Sequence, residues 1–219
     1  LANKLRGAER ADRAPQWLPR DRASWPVSPA QRRLWFLAQL APDSPAYHLC
    51  WSVRLDGELD PAALESALAA LQSRHESLRT GLIARDGEPE QVIAATPALP
   101  LVVEDIEPAR VNARLQAFVQ QPFELAEPPL WRVGVFRYGP QQQVLALVIH
   151  HIVADGWSLS ILFRELGALY RAARRDESAG LPALPLQYAD YAAWQQSRLA
   201  GGDPVAEIRR RSRCVVGRG

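Results

Sequence analysis

The chain has 219 residues, 47% hydrophobic and 23% charged, which is the balance of a folded globular protein and not of a disordered one. Its longest uninterrupted apolar run, residues 144–149, has strand length and falls far short of the ~18 residues of a membrane span, and the polar, Arg-rich first segment lacks the apolar stretch of a secretory signal. The net charge of +2 misleads, because residues 205–219 carry five arginines against one glutamate; the rest is slightly acidic, which excludes a basic nucleic-acid-binding fold.

Residues 1–24 show no hydrophobic period and read as a linker or lead-in, with order expected from Ser28. Ser28, Pro29 and Gln31 supply an N-cap, a first-turn proline and a capping-box glutamine for a helix whose stripe is Leu34, Leu37 and Leu40. Pro42 and Pro45 end it, and a strand follows at 48–55. Asp60-Pro61 opens a second helix with Leu64, Leu68, Leu71, His75 and Leu78 at helical spacing, stopped by Gly81. Short strands are expected at 81–85, 90–94 and 99–104, then a third helix at 108–121 with Val111, Leu115, Phe118 and Val119 inward. Residues 130–138 and 142–151 form a hairpin joined at Gly139-Pro140, and the second strand, apolar at each position from Val144 to Ile149, is a central one buried on both faces. Ser158 is expected to cap the next helix, which carries Leu159, Leu162, Phe163, Leu166 and Tyr170. A Pro-punctuated loop then leads to a last helix at 188–199. The pattern is α/β, a mixed β-sheet packed with amphipathic helices.

The chemistry concentrates in residues 150–158, HHIVADGWS, where two histidines end a buried strand and an Asp-Gly turn opens a helix. Side chains alternate along a strand, so His150 and His151 should point to opposite faces, one entering a cleft while the other packs. An imidazole, with its ordinary pKa of about 6.5, is a general base suited to neutral pH. Asp155 lies four residues on, placed to orient that ring or to pair with an arginine. Adjacent strand histidines diverge and no third ligand lies at metal spacing, so no metal site is expected. Cys50 and Cys214 form neither a disulfide framework nor a ligand cluster, which fits a reducing cytoplasm. One lysine (Lys4) against 25 arginines, with no methionine, suggests a GC-rich genome and a piece of a longer chain.

HHIVADG resembles the HHxxxDG signature of the condensation domains of nonribosomal peptide synthetases, members of the chloramphenicol acetyltransferase-like or HxxxD acyltransferase superfamily. Residues 28–37, SPAQRRLWFL, are similar to that family's opening motif SxAQxRLWxL, and 74–80, RHESLRT, resemble its second motif RHExLRT. Residues 187–195, QYADYAAWQ, look like the segment closing its N-terminal half. The resemblance implies that 25–199 are the N-terminal lobe of a condensation domain, with 1–24 a lead-in and 200–219 a divergent Arg-rich tail. It implies amide bond formation between a donor thioester and an acceptor amine, each tethered to a peptidyl carrier protein by phosphopantetheine. The chain itself would bind no cofactor and no metal. Its partners would be donor and acceptor carrier proteins, an adenylation domain of the same synthetase and a missing C-terminal lobe, without nucleic acid or membrane, in a bacterial cytoplasm making a secondary metabolite such as an antibiotic or siderophore.

Carried over by position, His151 is the catalytic histidine, deprotonating or positioning the amine. The N–H at Gly156 is a candidate oxyanion donor. His150, Asp155, Arg79 and Arg74 are structural at the site, with Asp155 expected to pair with Arg79 or Arg74. His75 is expected to be packed and hydrogen-bonded, Glu76 to cap or pair locally, and His48 to have no role. Trp35, Trp131 and Trp157 should be core or tunnel wall. Residues around Arg33, Trp35 and Trp157 suggest the class joining an L-configured donor to an L-configured acceptor. A complete domain is about twice this length, and from about Gly201 the sequence leaves the family pattern, as a frameshift, gene fragment or degraded module would. The rival readings are a stand-alone coenzyme A-dependent acyltransferase, an epimerisation domain, and a non-catalytic remnant that docks a carrier protein.

Overall fold

The computed structural model describes residues 15, 18–20, 22–95 and 98–200. The Arg-rich tail, Cys214 and the first fourteen residues of the lead-in lie outside them. Twelve elements follow in chain order: β1 (Trp25–Pro26), α1 (Pro29–Leu40), β2 (His48–Asp56), α2 (Pro61–Arg74), β3 (Thr80–Arg85), β4 (Glu88–Ile93), β5 (Leu101–Asp105), α3 (Val111–Gln120), β6 (Trp131–Gly139), β7 (Gln142–His150), α4 (Gly156–Arg175) and α5 (Tyr188–Ala200). Short 3-10 turns cover Pro45–Tyr47, Glu76–Arg79 and Pro108–Arg110.

The expected single sheet is two. β1, β4 and β3 form a small antiparallel sheet, while β2, β7, β6 and β5 form the main one. In the main sheet β5 runs parallel to β6 and the other pairs are antiparallel, so it is mixed, as expected. The 142–151 segment is indeed an inner strand, β7, with β2 on one side and β6 on the other.

Alternation along β6 and β7 separates two cores. Trp131, Val133 and Val135 of β6, with Leu147 and Ile149 of β7, pack on Leu64, Leu68 and Leu71 of α2 and Leu162 of α4. The opposite face carries Phe136, Ala146 and Val148 against Phe118 of α3. The result is a helix–sheet–helix sandwich with β7 at its centre. The α3 face approaches closely at Gly134, where an added Cβ would lie 2.6 Å from the Phe136 ring and 3.1 Å from that of Phe118. On the same face Arg132 is buried, stacks 4.1 Å from the Phe123 ring centroid and donates to the carbonyls of Phe118, Val119 and Gln121, closing the C-terminal end of α3.

Three local expectations change. The helix after the Asp-Gly turn is capped by Asp155, three residues before the serine expected there: Asp155 reaches the N–H of Ser158, the third helical residue, which is the ordinary geometry of an aspartate N-cap. Helix α2 stops at Arg74 with His75 as its C-cap, so Leu78 enters the core from a 3-10 turn and not from the helical stripe. Order starts before Ser28. Within the lead-in, Arg20 forms a two-pronged pair with Asp190 of α5 (2.8 and 2.9 Å) and donates to Glu76 (2.9 Å), while the Leu18 N–H also donates to Asp190. The Asp190 carboxyl is held below its usual range: burial opposes this, but the bonds from Arg20, Gln187 and Leu18 outweigh it.

At the end of β7, His150 sits opposite His48 in the ladder and turns into the α3 face, 5% exposed, with the rings of His48, Phe123 and Tyr47 around it. Its Nδ1 accepts the Ile152 N–H (3.1 Å), so the neutral ring carries its proton on Nε2. Burial, then the neighbouring His48 and His151, push its pKa down to about 4.

Two outcomes follow. Asp190→Asn removes one of the two carboxylates that Arg20 meets, Glu76 being the other, and should cost about 1–3 kcal/mol in chemical denaturation; the double variant with Arg20→Ala should cost less than the sum of the two single changes, and full additivity would show that the pair is not coupled. His150 binds its proton in the unfolded chain near pH 6.5 but in the fold only near 4, so stability is present above pH 6.5 and is lost as pH falls toward 4. The loss between pH 7 and 5 is on the order of 2 kcal/mol. His150→Asn keeps an acceptor for the Ile152 N–H and should flatten that part of the pH–stability curve in urea titrations; an unchanged curve would assign the acid sensitivity elsewhere.

Candidate functional site

The site forms where β7 gives way to α4. The backbone N–H of His150 donates to Leu130 O and that of His151 to Tyr47 O, which closes the ladder on both sides. Beyond it Ile152 and Val153 turn back into the core. His151 is therefore left exposed at the sheet end while His150 is packed beneath. The divergence that strand alternation predicts is what the fold delivers.

Asp155 occupies the N-cap of α4, its Oδ1 accepting both the N–H (2.8 Å) and the hydroxyl (2.6 Å) of Ser158. These bonds, that of the hydroxyl foremost, hold its carboxyl below the usual range. The expected pairing of Asp155 with Arg79 or Arg74 does not occur. Arg79 donates to Ala94 O (2.7 Å) and lies 3.7 Å from Glu76. Arg74 donates to Glu165 (2.9 Å) and to Pro182 O (2.6 Å). The physical reason is local: an uncapped helix start has unpaired N–H donors, and the nearest acceptor is the aspartate of the turn itself.

Gly156 is the first helical residue, and a Cβ added there would meet nothing within 4 Å. The helix start is thus open to solvent, with the positive end of its dipole facing outward. Trp157 beside it is 77% exposed. Of the three tryptophans expected as core or wall, Trp131 is buried and donates its indole N–H to Leu78 O (2.9 Å), Trp35 is half-buried, and Trp157 packs against nothing that would hide it.

The two other motifs support the turn from below. The buried Gln31 of the α1 capping box donates through Nε2 to Gln91 (2.9 Å) and to Ile152 O (3.3 Å). His75 is packed as expected, its Nε2 2.7 Å from Glu165, which also takes Arg74. Burial raises the Glu165 carboxyl, but these two partners bring it below its ordinary range. Glu76 pairs with Arg20, fifty-six positions away, as well as with Arg79. His48, given no role in the sequence, bonds Val119 O through Nδ1 (2.8 Å), and burial lowers its pKa.

The segment 187–195 stands out in the sequence, but the role of its residues in joining the motifs does not. Gln187 accepts from the Glu76 N–H and donates to Arg74 O, and the Tyr188 hydroxyl pairs with Ser28 Oγ at 2.9 Å. The one available signal was Asp190, a charge in the first turn of a helix otherwise aromatic and alanine-rich. No group of three or more potential metal ligands occurs among the described residues, and none of their helices is long and apolar enough to cross a membrane.

Comparison with known proteins agrees with this geometry. The family model described as the condensation domain matches residues 22–206. The chain is 45% identical over 180 residues to the chondramide synthase of Chondromyces crocatus, covering 79% of this chain and 5% of that protein. It is 46% identical over 180 residues to the dimodular nonribosomal peptide synthase of Bacillus subtilis, covering 81% of this chain and 8% of that protein. Among solved structures, the X-domain in its complex with OxyB from teicoplanin biosynthesis superposes with a TM-score of 0.80 at 34% identity, over 86% of this chain and 41% of that one. The chain thus spans a small part of the synthetases and less than half of the solved chain. With its fold and its sequence matched alike, the chain belongs to the condensation-domain family of nonribosomal peptide synthetases.

Proposed function

We propose that this lobe carries the reacting centre for amide bond formation between two carrier-bound substrates, working against a second lobe that completes the tunnel. The observation that carries this reading is the shared turn: His151 exposed at the end of β7 and the open helix start at Gly156 lie five residues apart on one loop. The acceptor's α-amine attacks the carbonyl carbon of the donor thioester, forming the C–N bond. His151 orients that amine and takes its proton. The Gly156 N–H and the α4 dipole stabilise the oxyanion of the tetrahedral intermediate. Collapse breaks the C–S bond, and the imidazolium returns its proton to the departing phosphopantetheine thiolate. His150 and Asp155 act by position, one packing the strand end and the other fixing the helix start; Arg79 and Arg74 brace the second motif from behind.

The substrates in this reading are aminoacyl or peptidyl groups on phosphopantetheine arms of donor and acceptor carrier proteins, loaded by an adenylation domain in the cytoplasm. The test supplies both loaded carriers to the chain, alone and with the second lobe of a relative, and measures the amide product by mass spectrometry. His151→Ala, at an exposed position, should fold normally and lower turnover by about 10²-fold or more. Asp155→Ala should cost about 1 kcal/mol of stability and part of the turnover, while Asp155→Asn, which also caps a helix, should retain both. Absence of product from the unsubstituted protein in both formats would overturn the catalytic reading in favour of a lobe that docks a carrier without reacting.

A further inference from the structure

Beneath the same turn, between the second motif and α4, lies a half-open cavity of about 110 Å³. Its floor is core: Leu78, Val153 and Leu162 are 4%, 8% and 5% exposed. Its mouth is formed by the half-buried Ser77, Ala154 and Ile161. A buried apolar floor with a partly open rim is the form of a ligand pocket and not of a sealed packing void. Three polar side chains line it, Ser77 at the mouth together with Ser158 and His75, of which the Ser158 hydroxyl donates to Asp155 and His75 bonds Glu165. Among the described residues, no carboxylate, guanidinium or amine lines the wall. Gly156, the oxyanion donor of the proposed reaction, lies in the turn between Ala154 and Ser158, two of the lining residues.

We propose that this cavity is a selectivity pocket for a small branched aliphatic side chain of one of the two aminoacyl substrates. The proposal rests on the condensation reading for what brings the group there, while size and wall chemistry decide what fits. A dry apolar cavity of about 150 Å³ accommodates benzene. The smaller volume here suits about three or four carbons, as in valine, leucine or isoleucine, and rejects an aromatic ring. A charged side chain would enter without a counter-charge and is excluded.

The pocket can be tested apart from turnover by following the methyl resonances of Leu78, Val153, Ile161 and Leu162 while titrating N-acetyl-leucinamide, N-acetyl-glycinamide and N-acetyl-phenylalaninamide. The leucine compound should shift these methyls, with affinity falling about fourfold for each methylene removed in the valine and alanine analogues. The glycine and phenylalanine compounds should leave them unmoved. Ser77→Leu should block the mouth and abolish the shifts; Ile161→Ala should widen it and admit the phenylalanine compound, a gain that misfolding does not produce. Equal responses to glycine and leucine, or an Ile161→Ala variant with unchanged ranking, would overturn the proposal. In the condensation assay, varying the donor with the acceptor held constant, and then the reverse, identifies which substrate uses the pocket. Product formed with no side-chain preference on either carrier would overturn the pocket and leave condensation standing. Leucine-selective binding without turnover would do the opposite.

Discussion

Strand β7 is buried on both faces, and much of the site follows from that constraint. Its odd residues belong to the core under α2 and α4, its even residues to the core under α3. A strand so placed has no solvent-facing side, so a functional side chain can emerge only where the strand ends. The ladder closes with the N–H of His150 on Leu130 and that of His151 on Tyr47. One residue of difference thus decides between a packed imidazole and an exposed one. The same ending forces the chain to reverse, and the reversal at Asp155-Gly156 places a helix start beside the exposed ring.

What holds the turn in place is mostly neutral hydrogen bonding to backbone, with ion pairs set further out. Gln31 grips Ile152 O, Trp131 grips Leu78 O, and Gln187 bridges Glu76 N and Arg74 O. These bonds tie the opening motif, the second motif and α5 to a common centre. The arginines of the second motif face away from it, toward Glu165, Glu76 and backbone carbonyls. Motif residues that are charged here brace the scaffold, and the exposed imidazole has no guanidinium assigned to it by these contacts.

The elements were largely legible because their signals are local. Capping chemistry at Ser28 and Asp60, the turn at Gly139-Pro140 and the apolar run 144–149 each act within a few residues, and each marks a helix or strand that forms. The divergence of His150 and His151 was legible for the same reason, since it needs only alternation and a strand end. Partner choice was not. Arg20 meets Asp190 across 170 positions and Glu76 across 56, and nothing in spacing distinguishes either carboxylate from the others. The expected Asp155–arginine pair failed in a related way: a long-range charge pairing was inferred where a cap bond three residues away already used the carboxylate. The division into two sheets also escaped, because β1 is two residues long and pairs with β4 only once the tertiary fold has formed.

The packed half of the site has an electrostatic consequence for the exposed half. Burial foremost, then the neighbouring His48 and His151, holds the His150 pKa down to about 4; beside them Arg132, pulled down by burial to about 10, stays charged at neutral pH, and its positive field adds to the burial that lowers His48. The histidine next to the proposed base is thereby kept neutral. Were His150 to ionise at neutral pH, an imidazolium would be buried among the rings of His48, Phe123 and Tyr47. In the proposed reaction a neutral His150 leaves the proton to His151 and the oxyanion to the dipole of α4.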